Sequence, residues 1–110
     1  MVYYVFEFQL LRSLGGFMAY LLVHFWPGAT EENYRAEIAA VHPKEGLPIG
    51  QQYHVAGPSE GGFLIAAVWD SKEHMETFVQ EILLPAQPVV GGFPNPVVER
   101  TAEVINQQSA

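Results

Sequence analysis

The chain has 110 residues, and its 5 Lys and Arg against 12 Asp and Glu give a net charge of −7. This length is typical of one domain, and it allows a core of useful size without disulfides or metals. Because the sequence has no cysteine, disulfide bonds, thiolate catalysis and thiolate metal sites are excluded. Five scattered basic residues cannot neutralise a row of phosphates, so we expect neither nucleic acid nor a membrane surface as a partner.

Residues 1–17 differ in composition from the rest of the chain. Nothing basic precedes Arg12 and Glu7 interrupts the apolar run, which is not typical of a secretory signal. The aromatic and β-branched residues favour an extra strand. The alternative is a non-native start, because the codons of Gly15-Gly16-Phe17 can form a ribosome-binding site just before Met18. We expect an N-terminal extension over 1–17, a single domain over 18–110 and a cytoplasmic protein.

The first half of the domain predicts a strand, a helix and a second strand. A β-rich run from Tyr20 to Trp26 is closed by the turn pair Pro27-Gly28. Thr30 is a good helix cap, and apolar residues recur at helical spacing until Pro43. Residues 51–56 then alternate as a half-buried strand that ends at Gly57-Pro58.

The second half repeats this order. A glycine-rich hairpin leads into Phe63–Trp69, a continuous apolar run typical of a central strand. Asp70 or Ser71 caps a second amphipathic helix, which Pro85 and Pro88 are expected to end. Residues 97–105 predict a last strand. The order β-α-β-β-α-β indicates a ferredoxin-like α+β fold, with a four-stranded antiparallel sheet and both helices on one face.

The third strand predicts how the protein associates. Its apolar side chains point to both faces of the sheet, but the two helices can cover only one face. An uncovered apolar face of this size is unusual for a soluble monomer. We therefore expect a homodimer in which the two sheets pack face to face.

The candidate site residues are histidines and aromatic residues on the predicted strands and helices. His54 and His24 are the candidate catalytic residues, because the ordinary pKa of histidine lies near neutrality. Trp69, Tyr34 and Tyr53 are the candidate ligand contacts. The alternative is that the histidines are satisfied in the core or at the interface and that the aromatic residues only fill space.

Other chemistries lack their motifs. The four histidines have no ligand-like spacing, so we expect no metal site. Neither Gly61-Gly62 nor Gly91-Gly92 follows a strand and opens a helix, which argues against a phosphate loop and a nucleotide cofactor. The serines lie in predicted loops, caps or termini, without a nucleophile elbow.

Residues 19–104 resemble the dimeric α+β barrel proteins. This superfamily includes antibiotic-biosynthesis monooxygenase-like domains and many small uncharacterised bacterial proteins, and the chain looks most like the latter. The resemblance is carried by Pro27-Gly28-Ala29-Thr30 followed by Tyr34, by His54-Val55-Ala56, by the run VWDSKE from Val68, by Phe78 and by Leu84-Pro85-Ala86. It implies the dimeric barrel architecture and, less specifically, an activity such as oxidation of aromatic substrates without a cofactor.

The resemblance does not extend to the heme-degrading branch. That branch carries Asn on strand one, Trp on strand three and a ligating His on helix two. Trp69 matches, but strand one offers His24 and His74 falls too early in helix two. We therefore expect no cofactor.

Two functions follow as expectations. The first is a cofactor-independent enzyme with a monooxygenase-like or isomerase-like activity, or a binding protein, for a small apolar or aromatic molecule. The second is a non-catalytic dimeric module. A cavity of at least about 300 Å³ beside His54 or His24 favours the first, and a filled interior favours the second.

Overall fold

The computed structural model describes residues 18–90 and 92–110, so the expected strand or non-native start at 1–17 lies outside the described residues. The elements are β1 (Tyr20–Pro27), α1 (Glu31–Val41), β2 (Gln51–Ser59), β3 (Gly62–Trp69), α2 (Lys72–Phe78), a π-helical turn (Val79–Leu83), α3 (Leu84–Val90) and β4 (Val98–Glu103). The strands form one antiparallel sheet in the order β2-β3-β1-β4. This is the predicted ferredoxin-like α+β arrangement.

Both helices begin at side-chain caps. The Thr30 hydroxyl accepts a hydrogen bond from the backbone N–H of Asn33, and the Asn33 side chain accepts one from the backbone of Thr30. This reciprocal pair satisfies two of the N–H groups that the first helical turn leaves free. Ser71, rather than Asp70, caps α2 by accepting from the backbone N–H of His74.

The prediction that Pro85 and Pro88 end the second helix is wrong. The helix continues to Val90 through the π-helical turn, where the N–H of Leu84 donates to the carbonyl of Val79. A proline in an α-helix clashes with the carbonyl four residues earlier. The wider π turn lies directly before Pro85, and it gives the helix room to accommodate the ring.

Two strand ends also differ from the sequence prediction. β2 passes through Gly57-Pro58 to Ser59, because β2 is an edge strand and Pro58 needs no donor on its open side. β4 is shorter than predicted and covers Val98–Glu103.

A β-bulge at Gln52 changes which residues of β2 face the helices. Gln51 pairs with Trp69 and Tyr53 pairs with Val68, so Gln52 is the extra residue. Gln51 and His54 therefore share one face, and Gln52 instead donates to the side chain of Asp70 at 2.7 Å. Simple alternation along the strand would place Gln52 on the same face as His54, and the bulge prevents this.

The two faces of the sheet have different surroundings. Residues Val41, Met75 and Phe78 of the helices form one core cluster with the sheet residues Leu22, Ala67 and Trp69. The other face, which we call the open face, carries Leu21, Val23, Phe25, Tyr53, Val55, Leu64, Ala66, Val68 and Val98. Tyr53 is 54% exposed and Val55 is 66% exposed, so this apolar surface is uncovered by the described residues. None of the described helices is long and apolar enough to cross a membrane.

The close approach of β1 and β3 requires glycine at position 62. A Cβ atom there would collide with the backbone carbonyl of Trp26, whereas a Cβ at Gly57 would meet nothing within 4 Å. We expect Gly62→Ala to lower the free energy of unfolding by about 1–3 kcal/mol, because the backbone must shift to relieve the contact. Gly57→Ala, on the neighbouring strand, is the control and should change it by less than about 0.5 kcal/mol. Urea unfolding measures both, and equal effects would contradict the packing described.

Candidate functional site

The candidate site is a closed space between the sheet and the helices, which we call the central cavity. Its volume is about 50 Å³. Polar and aromatic side chains from α1 and three strands line it, among them Trp26, Tyr34, Glu37, His42, His54 and Trp69. The space is therefore small, but much of its lining can form hydrogen bonds.

A hydrogen bond between α1 and β2 fixes the first part of the site. The Tyr34 hydroxyl and Nε2 of His54 lie 2.7 Å apart. Burial raises the pKa of Tyr34 and lowers the pKa of His54, so both groups favour their neutral forms. When the Tyr34 hydroxyl donates to Nε2, the His54 proton lies on Nδ1. Nδ1 is buried and has no hydrogen-bond partner among the described residues.

His42 extends this pair at the end of α1. Its ring packs edge-on against the His54 ring, with centroids 4.8 Å apart. Burial and the charge of His54 lower the pKa of His42 to about 4, so His42 is neutral near neutral pH. Sequence reasoning did not select His42, because a histidine at a helix end carries no motif.

Further buried polar atoms without a partner in the described part of the chain belong to residues that line the central cavity. They are Nε1 of Trp26, Nε1 of Trp69, both carboxyl oxygens of Glu37 and Oε1 of Gln51. Buried polar atoms in proteins are nearly always hydrogen-bonded, because leaving one without a partner is destabilising. Such a concentration around one cavity is a reason to consider it a ligand site.

Glu37 is the residue that sequence reasoning missed most clearly. Acidic side chains on helices are usually exposed to solvent, but Glu37 is only 3% exposed. Its position gave a signal, since it lies one helical turn after Tyr34 and one before Val41, on the buried stripe of α1. Burial raises the pKa of Glu37.

His24 lies at the other end of the site, on β1. Its Nε2 is 2.7 Å from a carboxyl oxygen of Glu99 on β4, and its ring is edge-on to Trp26. His24 lines the central cavity and also an open cleft of about 710 Å³, which we call the side cleft. Phe93 stacks on Trp26 with centroids 4.2 Å apart. Because Phe93 lines both spaces, its ring forms part of the wall between them.

The structure brings together four of the five residues selected from sequence. His54, His24, Trp69 and Tyr34 all line the central cavity. Tyr53 does not, since it is exposed on the open face of the sheet. Among the residues the structure describes, no group of three or more His, Asp or Glu is arranged to hold a metal ion.

The architecture of this chain is similar to that of several solved structures. A Chloroflexus aurantiacus protein, named as a candidate antibiotic biosynthesis monooxygenase, superposes with a TM-score of 0.61 at 11% identity, covering 83% of this chain and 97% of that one. Rv0793 from Mycobacterium tuberculosis gives a TM-score of 0.58 at 15% identity, over 83% and 98%.

A third solved structure is that of SnoaB from Streptomyces nogalater, a cofactor-independent oxygenase in a point-mutant form. It gives a TM-score of 0.52 at 11% identity, covering 84% of this chain and 96% of that one. No family model and no curated protein matches the sequence. At such low identities these similarities show a shared ferredoxin-like fold.

The buried carboxyl of Glu37 predicts a pH-dependent stability. Its pKa is higher in the folded than in the unfolded chain. The stability that this shift contributes is therefore present below a pH of about 4.5, and it is lost as the pH rises through the pKa of Glu37 in the folded chain. Glu37→Gln keeps the shape and removes the titration. We expect it to raise the free energy of unfolding above neutral pH by about 1–3 kcal/mol, with a difference that shrinks as the pH falls.

Denaturant unfolding across a pH series measures this effect. The matched control is Glu32→Gln, an exposed position on the same helix. If the free energies of unfolding of wild type and Glu37→Gln differed by the same amount at every pH, this would contradict a buried, titrating carboxyl.

Proposed function

We propose that this protein binds a small aromatic molecule between its helices and sheet and oxidises it in a monooxygenase-like reaction, with dioxygen as co-reactant and without a nucleotide cofactor. The observation that carries the proposal is that the residues lining the central cavity hold several buried polar atoms without partners among the described residues. They are His54 Nδ1, both carboxyl oxygens of Glu37 and Nε1 of each tryptophan. A ligand with a hydroxyl and a carbonyl oxygen would satisfy these groups.

The lining of the cavity supports an uncharged aromatic ligand. Its walls include the rings of Trp26, Tyr34, Trp69 and Phe78, and no Lys or Arg of the described residues lines it. Tyr34, Glu37, His42 and His54 all have pKa values shifted towards the neutral form. A ligand that entered as an anion would find no positive charge there, which disfavours it.

The proposed roles follow from these contacts. His54, held by Tyr34, hydrogen-bonds the hydroxyl of the ligand, and Trp69 packs against its ring. His24, buried beside Glu99, contacts the part of the ligand that reaches towards the side cleft. The apolar walls exclude water from the reacting carbon, which protects a reactive intermediate.

The volume of the cavity requires a movement on binding. About 50 Å³ is far below the roughly 300 Å³ of a typical ligand pocket. We propose that the ring of Phe93 leaves Trp26, so that the central cavity joins the side cleft of about 710 Å³. The aromatic ring of the ligand then takes the stacking position of Phe93.

The alternative function is a non-catalytic dimeric module. The small closed volume favours it, because a nearly filled interior is what a purely structural core would show. In that case the side chains around the cavity only support the fold.

A ligand screen with a paired substitution separates these functions. We expect at least one phenol, quinone or lactone to raise the melting temperature. A ligand at roughly 100 times its Kd raises the free energy of unfolding by about 2.7 kcal/mol. Ala67→Val fills the cavity and should abolish the shift, because Ala67 lines it. Ala66→Val makes the same change on the open face and should keep it.

The outcomes of the screen are distinct. No shift across the library at high concentration would refute binding and favour the structural module. A shift that survives Ala67→Val would contradict the central cavity and place the ligand elsewhere.

We further propose that residues 18–110 form a single cytoplasmic domain that dimerises through its open face. The support is the apolar surface on all four strands, which no described helix covers. A two-fold contact is self-complementary, so one such face is sufficient to form the interface. The helices and the central cavity then lie on the outside of the dimer, each copy with its own site.

Charges on the two faces of β3 test the dimer. Ala66→Glu should convert the dimer to monomer or aggregate, because it buries an unpaired charge in the interface. Ala39→Glu, on an exposed part of α1, should leave the dimer intact. Ala67→Glu should unfold the chain, since Ala67 is 3% exposed in the core.

Light scattering and sedimentation velocity measure the oligomeric state. A stable wild-type monomer at micromolar concentration would contradict the proposal. Expression from Met18 would then test whether residues 1–17 are needed for solubility.

A further inference from the structure

We propose that Glu37 is the general base of the central cavity and takes the proton from the hydroxyl of the bound aromatic ligand. This inference rests on the proposed function. It assigns the proton to a residue that neither the sequence motifs nor the structural comparisons single out, and it leaves His54 as the hydrogen-bonding partner of the same hydroxyl.

The geometry of Glu37 is unusual for a glutamate. The residue is 3% exposed, and neither carboxyl oxygen has a partner in the described part of the chain. It lines the central cavity beside Tyr34 and His54, one helical turn from Tyr34 on α1. A buried carboxyl without a partner is costly, and proteins retain such groups mainly at functional sites.

Counting charges favours Glu37 over His54 as the proton acceptor. Transfer from a neutral ligand to neutral His54 would create a cation and an anion in an apolar space. Transfer to the Glu37 carboxylate leaves one negative charge in the cavity before and after the step. Because isolated charges are expensive in a low dielectric, the second route has the lower cost.

Burial also changes the basicity of the two groups in opposite directions. It raises the pKa of Glu37, which makes the carboxylate a stronger base than an exposed one. It lowers the pKa of His54, which makes the imidazole a weaker base. Both shifts have the same cause and both favour Glu37 for this step.

The step is balanced without a further reagent. The O–H bond of the ligand breaks, its electron pair stays on the ligand oxygen, and the proton bonds to a carboxyl oxygen of Glu37. The negative charge thereby moves from Glu37 to the ligand. The N–H on Nδ1 of His54 is a donor without a partner among the described residues, and it can stabilise the new oxyanion.

The proton transfer should depend on pH through Glu37. The titratable groups that face the cavity with it are Tyr34 and His42 from α1, His54 from β2 and His24 from β1. Within the part of the chain that the structure describes, no Lys or Arg lines the cavity to hold Glu37 ionised when the site is empty. Deprotonation of the ligand should therefore appear as the pH rises through the raised pKa of Glu37.

The test uses para-nitrophenol, whose anion absorbs at longer wavelength than the neutral phenol, and para-nitroanisole as a probe without a proton to lose. Calorimetry gives the affinity, and difference absorbance over a pH series gives the phenolate fraction in the complex. Wild type is compared with Glu37→Gln and His54→Gln. Glu32→Gln is the surface control on the same helix.

We expect wild type to hold para-nitrophenol as phenolate at pH values where the free probe is protonated, and to release no proton to the buffer. Glu37→Gln should still bind both probes but show an at least about tenfold lower phenolate fraction. His54→Gln should weaken binding and keep the phenolate band. Glu32→Gln should behave like wild type.

Three results would overturn the assignment while leaving the binding function intact: a phenolate band that persists in Glu37→Gln, a band that disappears in His54→Gln alone, or a wild-type complex in which the probe stays neutral. Failure of wild type to bind either probe counts instead against the proposed function, and the role of Glu37 falls with it.

Discussion

The hydrogen bond between the Tyr34 hydroxyl and Nε2 of His54 is the interaction on which the candidate site depends. It joins α1 to β2, which is an edge strand in the described part of the chain. When the Tyr34 hydroxyl donates in this bond, the His54 proton lies on Nδ1, which decides what the second nitrogen offers to a ligand. It also sets Tyr34, and with it the next turn of α1, against the sheet. Glu37 is carried on that turn, so the position of the carboxyl follows from the same contact.

Burial gives the site its chemical character. Desolvation shifts the pKa values of Tyr34, Glu37, His42 and His54, each in the direction that favours the neutral form of the group. Where these four groups are neutral, they select a ligand by the pattern of hydrogen bonds rather than by attraction of opposite charges. The overall charge of −7 plays no direct part in this selection, because it is carried mainly by exposed residues.

The sequence predicted the order of the elements and the cap at Thr30 because each depends on local signals. It also placed His54 and His24 on strands. Alternation along a strand already puts the neighbouring residues Tyr53 and His54 on opposite faces of the sheet. The proposal of Tyr53 as a contact beside Tyr34 and Trp69 conflicted with that alternation. Gln51 was missed for a different reason, since the bulge at Gln52 is a tertiary feature of strand pairing.

The continuation of the helix past Pro85 was likewise hidden from local rules. Proline is a strong helix terminator in sequence, but the π-helical turn before it changes the backbone geometry that makes proline unfavourable. The turn matters for the site, because Leu83 lines the central cavity and both Val79 and Leu83 line the side cleft. Wide helical turns of this kind are frequent at functional sites.

The ferredoxin-like fold gives this chain two different surfaces on the same strands. Along β3, Ala66 belongs to the open face and Ala67 lines the central cavity, so neighbouring residues line different surfaces. At 11–15% identity the solved structures share the fold with this chain while most side chains differ. The fold therefore sets where the cavity lies, and residues such as Glu37 and His54 decide its chemical character.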